Sequence, residues 1–108
     1  ASQRDVTTLP TQSLYLMNGS FVIQQAQALA ALALHDADLD ESQRIRLIFQ
    51  QALQRSPGQE ELLSAVAFLK STESTLASAT PKPDNVKTQA WTSLCHALLL
   101  TSEFRHVD

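Results

Sequence analysis

The sequence predicts an all-α domain: a compact bundle of four to five helices with one long Ser/Thr/Pro-rich loop before the last helix. Three observations carry that expectation. Two glycines and four prolines in 108 residues are too few for a turn-rich β chain, and the Ala, Leu and Gln content favours helix. Apolar residues recur at spacings of three and four through most of the chain, as one face of a helix requires. The breakers fall between those runs, at Asn18-Gly19, Ser56-Pro57-Gly58 and Pro81-Lys82-Pro83. With 44% hydrophobic and 18% charged residues, residues 1–108 suit one domain with one modest core.

Residues 1–9 read as an extended polar lead-in. Pro10 suits the first position of a short helix, because the N–H it lacks would have no partner there anyway. Leu14, Leu16 and Met17 give that helix an apolar side, Asn18-Gly19 turns the chain, and Ser20 caps a second helix. This second helix spans about Phe21 to Leu34, with Val22, Ala26, Leu29 and Ala33 on one face and Gln24 and Gln27 on another. Its alanines suit close approach to a neighbour. His35-Asp36 ends it.

Asp40-Glu41-Ser42-Gln43 has the form of a capping box, in which Asp40 caps the helix and Gln43 reaches back. The helix it opens extends to about Arg55, with Ile45, Ile48, Phe49, Ala52 and Leu53 as its apolar stripe. After the break at residues 56–58 another helix begins near Gln59, its Glu60 and Glu61 placed where the helix dipole favours anions. Leu62, Val66 and Leu69 form its face, with Leu63 and Phe68 alongside. Residues 71–85, rich in Ser, Thr and Pro, read as the long loop. Asp84 or Asn85 caps the last helix, on which Trp91, Leu94, Cys95, Leu98 and Thr101 share a face. Residues 105–108 read as a polar tail.

Chemistry is sparse. The net charge is −3 and the eight Lys and Arg are scattered, which predicts no phosphate-tracking surface and no nucleic-acid partner. The helix after Ser56-Pro57-Gly58 opens with two glutamates, the wrong sign for a DNA-reading helix. The acidic residues Asp36, Asp38, Asp40 and Glu41 read as a solvated loop, lacking the central glycine and distal glutamate of a calcium loop. His35, His96 and His106 have no metal-ligand spacing, so no metal is expected. Ser93-Leu94-Cys95-His96 falls one cysteine short of covalent haem attachment, and Cys95 lies on the apolar stripe; no cofactor is expected and Cys95 reads as structural. The run Ala26 to Leu34 is too short to span a bilayer. No small-molecule ligand is specified.

The least generic stretch is residues 4–22. Its polar residues Arg4, Asp5, Thr8, Gln12 and Asn18 either bond the local backbone or form a docking edge. That stretch resembles the Thr-x-Pro-x-Gln-Ala-Leu…Leu-Asn signature of domain of unknown function 1553. The resemblance rests on Arg4-Asp5-Val6-Thr7-Thr8-Leu9-Pro10-Thr11-Gln12-Ser13-Leu14-Tyr15-Leu16-Met17-Asn18. It continues in Arg44 to Pro57, in Glu60-Glu61-Leu62, and in Ala90-Trp91 through Glu103-Phe104-Arg105, nearly the whole chain. Ser13 stands where the pattern often has Ala.

The resemblance implies the C-terminal helical part of a larger exported protein of planctomycete type, outside the cytoplasm, often linked to a cytochrome c-like domain whose haem motif is missing here. The chain's abrupt start within the motif agrees with a fragment. The expected function is a non-catalytic structural or interaction module packing on the upstream domains of its own polypeptide, with Arg4, Thr8, Gln12, Tyr15 and Asn18 as the candidate surface. The alternative is that it forms one wall of a polysaccharide-related or redox enzyme site built with those domains.

Overall fold

A computed structural model describes residues 20–107, with side chains described through Thr101. Four helices occupy this range: α1 Ser20–His35, α2 Glu41–Leu53, α3 Gln59–Ala77 and α4 Val86–Val107, with no strand among the described residues. The all-α expectation holds. The short helix expected from Pro10 lies outside the described residues, and with it the choice between four helices and five.

α1 packs on α4 and α2, while α3 packs on the other side of the same two helices. α1 and α3 do not touch, so each is an outer helix of the bundle. The core between them comprises Ala26, Ala30 and Ala33 of α1, Ile45, Ile48 and Phe49 of α2, Ala65 and Leu69 of α3, and Ala90, Trp91, Leu94, Cys95 and Leu98 of α4. The buried side of α1 is almost all alanine, whose small side chains let α1 lie close on the bulky Trp91 face of α4.

Local signals explain the boundaries. The Asp40 carboxylate accepts from the Gln43 N–H at 2.8 Å, and Gln43 Oε1 accepts from the Asp40 N–H at 2.8 Å, so the expected capping box opens α2. α2 closes at Gln54, a non-glycine residue in the left-handed region at φ 59°, whose N–H donates to the Gln50 carbonyl at 3.0 Å. Of the two residues expected to cap the last helix, Asn85 serves: its Oδ1 accepts from the Thr88 N–H at 3.1 Å.

Two expectations are corrected. The long loop expected at residues 71–85 shrinks to residues 78–85, because α3 continues to Ala77. Residues 71–77 contain no Pro or Gly, and Leu76 packs against the core, so burial outweighs the weak helix propensity of Ser and Thr. The polar tail expected from Arg105 is instead helical to Val107, where nothing in the sequence supplies a stop signal. On α3 the core-facing line is Ala65 and Leu69, flanked by the half-buried Leu62 and Val66, while Leu63 and Phe68 turn to solvent. Thr101 is also exposed, its hydroxyl donating to the Ala97 carbonyl at 3.0 Å.

Candidate interaction surface

The outer helices carry the unusual surface. Between Ser20 and Leu34 there is no Asp, Glu, Lys or Arg, so the polar residues of α1 before its last residue are Ser20 and three glutamines. A surface helix ordinarily sets charged residues opposite its apolar stripe; one that is apolar on most sides belongs to an interior. α1 nevertheless lies on the outside of the bundle, with Phe21 50% exposed, Ile23 46% and Leu32 47%. Phe21, Gln25, Ala28 and Leu32 follow 4-3-4 spacing along one outward line. Gln25, Ala28 and Leu32 line a shallow groove of about 250 Å³ with Ala52 and Leu99.

Arg44 positions this helix from α2. Its Nε donates to the Ala33 carbonyl at 3.0 Å, an acceptor in the last turn of α1, and its Nη2 donates at 3.0 Å to the Asp36 carbonyl, which also accepts from the Leu39 N–H at 3.3 Å. The Asp36 carboxylate accepts from the Asp38 N–H at 2.9 Å, which shapes the turn between α1 and α2. The acidic run thus builds a turn at Asp36 and a cap at Asp40. Among the described residues no group of three His, Cys, Asp or Glu is placed to hold a metal ion.

A second groove, about 370 Å³, opens between α3 and α4. Phe49, Phe68, Leu94 and Leu98 give it apolar walls, and Glu60 and Ser64 lie along its α3 edge. Beside it, Arg55 donates to both carboxylate oxygens of Glu61, at 2.7 and 2.6 Å, and its guanidinium lies 5.8 Å from the centre of the Phe49 ring. The Glu61 hydrogen bond raises the pKa of Arg55 further above its usual value. Glu61 also accepts from the Gly58 N–H at 2.8 Å, so this pair fixes the joint between α2 and α3.

Cys95 is fully buried, and desolvation pushes its thiol up to about 12, the opposite of what a nucleophile requires. It serves as a small apolar residue of the α4 stripe, as its position beside Trp91 and Leu98 suggests. No helix among the described residues is long and apolar enough to cross a membrane.

The candidate residues Arg4, Thr8, Gln12, Tyr15 and Asn18 lie outside the described residues. The outward face of α1 and the clasp by Arg44 were not picked out by sequence reasoning. The charge-free interval of α1 was the signal that could have found the first; nothing in sequence pairs Arg44 with a carbonyl eleven residues away.

No curated protein and no solved structure matches the chain. A family model described as "Protein of unknown function (DUF1553)" matches residues 1–69. That match takes in the opening stretch, the Arg44 to Pro57 piece and Glu60-Glu61-Leu62, and stops short of the Ala90 to Arg105 piece, so the resemblance covers less than nearly the whole chain. It also includes all of α1 with Arg44, and Phe68 of the second groove. On the strength of that match, spanning more than half of its length, the chain belongs to the DUF1553 family of proteins of unknown function.

Proposed function

We propose that the chain is a non-catalytic interaction module that packs on the upstream part of a larger polypeptide, with the outward face of α1 at the centre of the contact. One observation carries the reading: an outer helix without a charged residue from Ser20 to Leu34, exposing Phe21, Ile23 and Leu32. Phe21, Ala28 and Leu32 share one outward line with Gln25, Ile23 is exposed on another side of the helix, and apolar side chains exposed without interspersed charges are the mark of a surface covered by a partner. The upstream polypeptide is the favoured partner because the chain enters α1 directly from residues 1–19. Arg4, Thr8, Gln12, Tyr15 and Asn18 of that segment then supply the polar rim around an apolar centre. The extracytoplasmic setting implied by the family resemblance belongs to the same proposal.

The test is association of the 108-residue chain with the separately expressed upstream polypeptide. Half-exposed Phe21 and Leu32 each have on the order of 1 kcal/mol of further burial to give. Adding the cost of burying a charge, Phe21→Glu with Leu32→Glu should weaken the complex about 100-fold or more. Leu63→Glu, on the far side of the bundle, should leave it within about twofold. Equal loss from both variants, or from neither, overturns the assignment of the face.

A further inference from the structure

We propose that the groove between α3 and α4 is a second docking site, and that its occupant is an amphipathic helix presenting a bulky apolar anchor and a Lys or Arg two turns away. The site is independent of the α1 face: α1 and α3 do not touch and lie on opposite sides of the α2–α4 pair. Glu60, Ser64 and Phe68 recur at four-residue intervals along α3, and all three line the groove. Phe68 is 37% exposed, at the edge of a floor made by the buried Leu94, Leu98 and Phe49.

The separation of Phe68 from Glu60 fixes the chemistry of the partner. Eight residues of helix span about 12 Å, so an apolar side chain seated by Phe68 leaves Glu60 about two turns along the groove. A helix lying along α3 would reach both points with residues seven or eight apart, the helix-in-groove mode of recognition. Charge complementarity selects a cation for the second position. The bundle itself offers a precedent at the same end of α3: Arg55 seats its guanidinium on the Phe49 ring while pairing with Glu61. Glu60, exposed one residue earlier, is one of the residues that line the groove.

The probe is a synthetic 15-residue amphipathic helical peptide with leucines on one face and a single lysine seven residues from the central leucine, together with its glutamate-for-lysine counterpart. Titrated into the ¹⁵N-labelled 108-residue chain, the lysine peptide should shift resonances of α3 and α4 around Phe68 and Leu98 and leave those of α1 unmoved. Phe68→Ser should weaken binding about tenfold or more. Glu60→Lys should weaken the lysine peptide about fivefold and strengthen the glutamate peptide by a similar factor, because charge reversal on both sides restores the pair. Both substitutions are at exposed positions, and an unchanged circular dichroism spectrum checks that the fold survives. Absence of binding, shifts centred on α1, or affinities indifferent to Phe68→Ser and to the charge reversal would each overturn the proposal.

Discussion

Arg44→Met is the sharpest probe of how the bundle holds its outer helix. The substitution keeps most of the apolar stem while removing the Nε and Nη2 donors to the Ala33 and Asp36 carbonyls. A hydrogen bond from a charged donor contributes about 1.5–3 kcal/mol, and loss of a donor leaves a buried acceptor unsatisfied. The Ala33 carbonyl is in a part-buried setting and should account for most of the loss, while the bond to Asp36 is exposed and water replaces it at little cost. The expected destabilisation is therefore about 2 kcal/mol, within the range for one such bond. For a domain of this size that lowers Tm by about 10 °C, and it lowers the urea midpoint without changing the slope. Arg44→Lys should recover no more than about half, since one ammonium cannot reproduce a planar fork aimed at two carbonyls. Arg46→Met, two residues on at an exposed position, is the control and should fall within about 0.5 kcal/mol of the parent. If Arg44→Met is as stable as Arg46→Met, the clasp on α1 contributes nothing and the reasoning fails.

Three further outcomes are expected. Leu69→Ala, at a fully buried position, should cost about 2–5 kcal/mol in denaturant unfolding, whereas Leu63→Ala, 62% exposed on the same helix, should cost far less. Gln54→Gly should raise stability by about 0.5–1 kcal/mol, because glycine occupies φ 59° without the Cβ strain that glutamine bears and loses only part of that gain to backbone entropy. Cys95 should make the bundle sensitive to alkali: its folded-state value of about 12 lies above its ordinary 9.0, so above about pH 9 the unfolded chain releases a proton that the folded chain keeps. The stabilisation is complete below about pH 9 and is lost towards pH 12, with a slope approaching 1.4 kcal/mol per pH unit. Cys95→Ala should flatten that slope, and native Cys95 should resist iodoacetamide at pH 8.

The parts of the fold that depend on neighbours in sequence were legible. The Asp40–Gln43 box, the apolar stripe of Ile45, Ile48 and Phe49, the break at Ser56-Pro57-Gly58 and the Trp91–Leu98 line all appear where local chemistry places them. The extent of α3 was not legible, because Leu76 is held by the core and its Ser/Thr-rich surroundings give only a weak local preference. Orientation on α3 was partly legible: Leu63 and Phe68 broaden the apolar side beyond Leu62, Val66 and Leu69, and small Ala65 marks the buried line. The candidate surface was legible only in part. The interval without charge in α1 can be read directly, but its outward placement depends on α4 and α2 taking its alanine face.

The most direct test of the interaction-module reading is a calorimetric titration of the 108-residue chain into the upstream polypeptide at several temperatures. Burial of the α1 face predicts a stoichiometric complex with a negative heat-capacity change, on the order of −0.2 kcal/mol/K for an interface of about 1,200 Å² with ordinary apolar content. A mixture that gives no heat at any temperature and sediments as two separate species would contradict the account.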